Sequence, residues 1–214
     1  MKNPSVNRLV LASASLQRKQ LLLQMGAKID LVSPANIDES LHSNEPPKYY
    51  VNRMAKEKTL AISRFEQESY VLGADTVVIA GTKIFPKTEN NETAKEYLQQ
   101  LSGRRHQVIT SIAVISPFGK LSSRLVITRV KFKRLSNAEL KTYLNTNEWK
   151  GRAGGYAIQG IGGSFIEWIN GSYSNVVGLP LYETKCTLEG LGWRWSPKID
   201  SSFGGYDSKQ GMKS

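Results

Sequence analysis

The run Tyr70-Val71-Leu72-Gly73-Ala74-Asp75-Thr76-Val77-Val78-Ile79 constrains this chain more than any other stretch. Its length and Val/Ile content predict a buried strand. A carboxylate placed inside such a strand loses its hydration and needs a partner or a metal. Asp75 is therefore either a functional carboxylate or the partner of a buried base, and Thr76 sets a hydroxyl beside it.

The segments on either side share this habit of putting polar groups at apolar borders. Leu9-Val10-Leu11-Ala12 reads as a short strand that feeds Ser13-Ala14-Ser15 into a helical pattern from Leu16 to Met25, stopped by Gly26. Ser15 is the expected N-cap, and a strand-to-helix turn of small hydroxyl residues presents backbone N–H groups that suit phosphate. Arg18 falls in the first turn, where the helix dipole gives a cation no advantage. It marks an anion site there, or it is a solvated arginine on a capped helix.

Ile29 to Ser33 reads as a second short strand, and Pro34 to Asn44 as a loop that carries Glu39. Pro46 and Pro47 open a helix to about Phe65, on which Tyr50, Met54, Lys58 and Ala61 recur at helical spacing. Lys58 thus lies on or beside the apolar stripe, either snorkelling or reaching into a cleft. After the central strand, Ala80-Gly81-Thr82 is a hairpin turn, Lys83-Ile84-Phe85 returns, Pro86 stops it and Lys87 follows.

The pattern continues with a helix over Asn91–Leu101, strands over His106–Ser116 and Leu121–Arg134, and a helix from the capping box Ser136–Glu139 to Asn145. A glycine-rich loop runs from Gly151 to Gly163, open to close approach by a ligand or another backbone. A strand over Ser164–Ile169, a tight turn at Asn170-Gly171, a polar segment Ser172–Asn175 and a last helix Pro180–Leu191 complete the order. Cys186 in that helix reads as a small core residue. Residues 1–195 read as one domain of two lobes, and the Gly/Ser/Lys-rich stretch 196–214 as a disordered tail.

Composition excludes several classes. One cysteine rules out an internal disulfide framework and a cysteine-only zinc site. No run is long enough for a signal-peptide core or a membrane span, so the expected setting is the cytoplasm. The formal charge of +11, from 29 basic and 18 acidic residues, favours anionic partners without choosing among them. No zinc-finger spacing, ribonucleoprotein motif, Walker loop or dinucleotide fingerprint is present, and nucleic acid is not the expected partner. His42 and His106 have no motif spacing.

The acids Glu39 and Asp75 and the bases Arg18, Lys58 and Lys87 form the set of interest. Two carboxylates with several cations suit a triphosphate: the acids hold a divalent metal and the cations hold phosphate oxygens. Phosphoryl transfer needs mainly positioning and charge neutralisation, so no covalent nucleophile is required.

Leu11-Ala12-Ser13-Ala14-Ser15 with Arg18 resembles the opening signature of the Maf family, and Gly73-Ala74-Asp75-Thr76-Val77 its central motif. Ala153 to Gly160 and Gly171 to Pro180 resemble its C-terminal signatures, so the likeness runs in order from about Leu9 to Gly192. The resemblance implies a nucleoside triphosphate pyrophosphatase, usually a homodimer and dependent on Mg or Mn. It implies the fold of the inosine triphosphate pyrophosphatases, a mixed twisted α/β sheet flanked by helices in two lobes around a deep cleft.

By the same likeness Asp75 and Lys87 are the expected catalytic residues, with Asp75 either general base or chiefly a metal ligand beside Glu39. Ser13, Gln17, Arg18, Lys58, Thr76 and Gln159 are the expected substrate and specificity residues. The Ile-Gln-Gly segment at Gln159 marks the branch that acts on dTTP and UTP and so keeps them out of nucleic acid; the branch acting on 7-methyl-GTP typically has glutamate there. A neutral amide both donates to and accepts from a pyrimidine edge, whereas glutamate only accepts. Gln17 stands where the family often has an arginine associated with substrate choice. The alternatives are the 7-methyl-GTP branch and a low-turnover nucleotide-binding regulator of cell division.

Overall fold

A computed structural model describes residues 7–195. The expected tail over 196–214 lies outside the described residues. The central element is β3 (Tyr70–Ala80), and both of its faces are covered. Burial on both faces explains why it reads as an almost unbroken apolar run. Short strands β1 (Leu9–Leu11) and β2 (Leu31–Val32) lie parallel beside it, with β1 next to β3. The hairpin strand β4 (Lys83–Phe85) is antiparallel to β3. On its other side β3 pairs with β6 (Arg105–Ile115), then β7 (Leu121–Phe132) and β9 (Ile166–Asn170), all antiparallel. These seven strands make one mixed sheet in the order β2-β1-β3-β6-β7-β9, with β4 on β3. A separate ribbon pairs β5 (Lys87–Thr88) with β8 (Arg152–Ala153).

One edge of β3 is only partly paired. β1 pairs with it only at Tyr70–Leu72, and β4 only at Val78–Ala80. Among the described residues, Gly73 to Val77 therefore have no strand partner on that side. A gap beyond the carboxyl end of a parallel strand is where open α/β sheets admit ligands.

Helix α2 (Pro47–Ser63) covers one face of the sheet, packing Val51 on Val77, Ile79 and Ile109. The other face carries α1 (Leu16–Gln24), α3 (Asn91–Leu101), α4 (Asn137–Asn145), α5 (Tyr173–Val177) and α6 (Leu181–Gly190). Two apolar cores lie on that face. One gathers Leu9, Leu11, Leu72, Ala74, Ile112 and Trp193. The other gathers Val78, Phe85, Leu98, Val108, Phe132 and Trp149. Along β3 and β6 the polar residues Thr76 and Thr110 stand between them. A polar band therefore separates these two cores.

Local chemistry accounts for the helix ends. Ser15 caps α1, Asn90 caps α3, and Ser136 with Glu139 forms the predicted capping box of α4. Four sequence expectations change. The second strand shrinks from Ile29–Ser33 to Leu31–Val32. The strand expected from Ser164 starts only at Ile166, because Ile161–Phe165 winds into a 3-10 helix. The polar segment from Ser172 becomes α5, since the Ser172 side chain accepts from the Asn175 N–H and starts a helix. Cys186 is exposed: the buried stripe of α6 is Thr184, Thr187 and Leu188, and a residue two positions after Thr184 faces away from it.

Gly73 sets the spacing between α2 and β3. A Cβ added there would lie 2.4 Å from Thr59 Oγ1, 2.8 Å from the Ala55 carbonyl and 3.0 Å from the Thr59 nitrogen. Gly73→Ala is expected to push α2 off the sheet and to destabilise the protein by about 1–3 kcal/mol. Urea denaturation of the purified variant measures this, and unchanged stability would contradict it.

Candidate functional site

The β1–α1 turn delivers the first functional group. Ser15 accepts from the Arg18 N–H, which fixes the first turn, and the Arg18 side chain then folds back into the protein. Its Nε donates to the Gly178 carbonyl at 2.9 Å, Nη1 to Ser13 Oγ at 3.0 Å and Nη2 to Thr76 Oγ1 at 3.1 Å. Arg18 is only 5% exposed, so the solvated reading is wrong. Each Nη nitrogen carries a second N–H that these bonds leave unspent. Burial holds the guanidinium below the usual arginine value, while Asp75 and Glu39 pull the other way. Ser13, Arg18 and Thr76 thus form one hydrogen-bonded cluster.

Asp75 precedes Thr76 in the strand and points to the opposite face. There Lys58, rising from α2, donates to Asp75 Oδ1 at 2.8 Å and to Glu39 Oε2 at 2.7 Å. Lys58 and Asp75 are buried, and Glu39 is half exposed at the mouth of the cluster. Asp75 is therefore the partner of a buried base, and Lys58 ends on the two carboxylates instead of snorkelling to the surface. The two acids, far apart in the chain, meet on a single ammonium.

This arrangement bears on the metal. No group of three or more His, Cys, Asp or Glu residues suited to a metal occurs among the described residues. A cage built wholly from protein is thus not present there. Two converging carboxylates do suit a magnesium-like ion that completes its shell with waters and phosphate oxygens. Glu39 and Asp75 are the residues that could hold it.

A groove of about 470 Å³ opens on the Thr76 side, between the two cores. The β1–α1 turn contributes Ser15, Gln17 and Arg18; β3 contributes Thr76 and Val78; the β5–β8 ribbon contributes Lys87 and Arg152; and the glycine-rich loop contributes Tyr156 and Gln159. Gln17 accepts a hydrogen bond from Ser15 Oγ at 3.3 Å, and Gln159 is exposed on the rim. Lys87 has no hydrogen-bond partner among the described residues. Its side chain is open to the groove, yet the walls strip water from it and Arg18 repels it. Its ammonium therefore sits below the usual lysine value, with Asp75 and Glu39 opposing the shift.

Sequence reading missed Arg152, whose buried Nε has no partner among the described residues. It took the loop for glycine flexibility and passed over the cation beside Gly151. Neither histidine joins the site. His106 packs in a core against Phe132 and Tyr156, with Nε2 2.8 Å from Tyr156 Oη, and burial pushes its pKa down to about 4. His42 is exposed and gives its backbone N–H to Glu45.

Residues 8–191 match the family described as Maf-like protein. The chain is 50% identical over 186 residues to a dTTP/UTP pyrophosphatase of Rhodospirillum rubrum, covering 87% of this chain and 89% of that one. It is 48% identical to a dTTP/UTP pyrophosphatase of Hyphomonas neptunium, over 89% of this chain and 99% of that one. It is 47% identical to a nucleoside triphosphate pyrophosphatase of Anaplasma marginale, over 86% and 94%. A solved dITP/XTP pyrophosphatase of Mycobacterium abscessus aligns over 86% of this chain and 93% of that one at 13% identity, with a TM-score of 0.42, a likeness too distant to carry an argument.

Removing one partner of the buried pair is expected to be far more harmful than removing the half-exposed one. Lys58→Met leaves Asp75 buried without its cation and should cost about 3–5 kcal/mol. Glu39→Gln, at the solvent border, should cost less than about 1 kcal/mol. Chemical denaturation of both variants at neutral pH makes the comparison, and equal losses would contradict it.

Proposed function

Because the chain belongs to the Maf family, we propose that it is a nucleoside triphosphate pyrophosphatase acting on dTTP and UTP. Water attacks the α-phosphorus, the bond to the α–β bridging oxygen breaks, and nucleoside monophosphate and pyrophosphate leave. Removing such triphosphates, including modified ones, would keep them out of nucleic acid. The observation that carries this reading is the bridge from Glu39 through Lys58 to Asp75, set at a gap in the strand edge beside a groove lined by Arg18 and Lys87. A pure nucleotide binder has no need of carboxylates at the phosphates.

The residues divide the work by position. Arg18 and Lys87 neutralise phosphate oxygens, and Ser13 and Thr76 hold the Arg18 guanidinium toward the groove. Lys58 fixes the direction of the Asp75 carboxylate, which accepts the proton released by the attacking water. Glu39 and Asp75 would hold a divalent cation, Mg or Mn; when bound, it supplies charge neutralisation at the phosphate oxygens. Gln159 and Gln17, on the groove walls, read the base. The neutral Gln159 amide suits a pyrimidine edge better than the cationic ring of 7-methylguanine, for which an acid is the better partner. Assembly as a homodimer and a cytoplasmic setting belong to the same proposal and rest on the family. No helix among the described residues is long and apolar enough to cross a membrane.

A panel of common and modified triphosphates, with products identified, is the direct test. Metal-dependent release of pyrophosphate from dTTP and UTP is expected, and Asp75→Asn should lower kcat by about 10²–10⁴-fold with the fold retained. Full activity in that variant would remove Asp75 from the chemistry. Lys87 makes a second prediction, from its position and depressed pKa. Its charge is present below that pKa and is lost as pH rises through it. The alkaline limb of kcat/KM should therefore fall at a pH below the usual lysine range, and move upward in Lys87→Arg. A limb that stays put in Lys87→Arg would show that another group controls it.

A further inference from the structure

Glu39 sits on a stretch without helix or strand, Pro34 to Asn44, and most of that stretch is exposed. Something must hold its carboxylate at Lys58, and α2 supplies it. Tyr50 donates its hydroxyl to the Glu39 carbonyl at 2.9 Å. One turn further along, Arg53 Nη2 donates to the next carbonyl, that of Ser40, at 3.0 Å. Arg53 also grips Glu45 at the far end of the loop in a two-pronged pair, Nε to Oε1 at 2.8 Å and Nη2 to Oε2 at 2.6 Å. Glu45 Oε2 in turn accepts the His42 backbone N–H at 3.2 Å. The Arg53 guanidinium lies 5.6 Å from the centre of the Tyr50 ring, so the two side chains also brace each other.

These contacts share one helix face, and the same helix carries Lys58. The loop is therefore fastened to the element that presents the ammonium. We propose that Arg53 and Tyr50 are positioning residues that lock the Glu39 loop, and so set the distance between Glu39 and Asp75 that a divalent cation requires. This rests on the proposed function, in which Glu39 helps to hold the metal. The forked geometry needs arginine: lysine keeps the charge but cannot span Glu45 and the Ser40 carbonyl in one plane. The ionisation states suit a permanent lock. Arg53 holds the Glu45 carboxyl down at about 2, so this pair stays charged through the working range.

The test is a double-mutant cycle in the full chain with three readouts: Mn²⁺ titration followed by electron paramagnetic resonance, steady-state kinetics on dTTP, and amide exchange of residues 38–45. Arg53→Lys and Tyr50→Phe are used because each keeps the packing of α2. Each should speed exchange across 38–45, weaken Mn²⁺ binding, and lower kcat by about 10–100-fold with a smaller change in KM. In the Glu39→Gln background neither should add more than about twofold. Full additivity in that background, or unchanged exchange across 38–45, would overturn the lock. Absence of dTTP turnover in the unaltered protein would defeat the proposed function instead, and the Mn²⁺ and exchange readouts would still decide this inference.

Discussion

The close approach of α2 to β3 is the contact on which the site depends. With no Cβ on Gly73, the backbone of α2 at Ala55 and Thr59 comes against the strand. Thr59 makes this a bonded contact, its hydroxyl lying 2.8 Å from the Ala55 carbonyl and 3.1 Å from that of Ala113 on β6. Lys58 is the neighbour of Thr59, and Asp75 is on the same strand face as Gly73. The spacing that seats the helix therefore also brings ammonium to carboxylate. An apolar pair of similar volume would bind helix to strand at least as well.

The second consequence follows from the pleat. Asp75 and Thr76 are adjacent and face opposite ways, so the acid cluster and the Arg18 cluster lie on different faces of one strand. In the middle of a sheet they would be sealed from each other. Here β1 stops at Leu11 and β4 begins pairing only at Val78, so among the described residues the edge between them carries no strand partner. Lys87 lines the groove on the Thr76 side, with Arg18.

Much of this was legible in the residues, and the reasons differ from one to the next. Asp75 stood out because a charge inside a ten-residue apolar run has few explanations, and Lys58 because helical spacing put it on the apolar stripe. Both signals come from burial, which pattern reading detects well. Arg18 was ambiguous because its burial depends on Gly178, 160 positions away, and no local pattern carries that. The gap in the β3 edge depends on where two neighbouring strands end, and strand ends are the least certain part of any sequence reading. Arg152 was hidden by the glycines around it. Cys186 misled because its residue type suggests burial while its angle on α6 exposes it.

The segment from Gly171 to Pro180 shows how a sequence signature can serve geometry without touching the chemistry. Ser172 starts α5, and Asn175, fully buried, ties that helix to the sheet through Val108 and Thr128 at 3.1 and 3.0 Å. Thr110 donates to the Asn175 carbonyl and lies 3.0 Å from the hydroxyl of Thr76. The helix ends at Gly178 with φ 126°, a conformation that favours glycine, and this turns its carbonyl onto Arg18 Nε. The polar band between the two cores is therefore one connected network whose last acceptor orients the guanidinium. A rigid floor of this kind matters because phosphoryl transfer relies on charges that are already in place. The same network that separates the two cores also aims Arg18 into the groove between them.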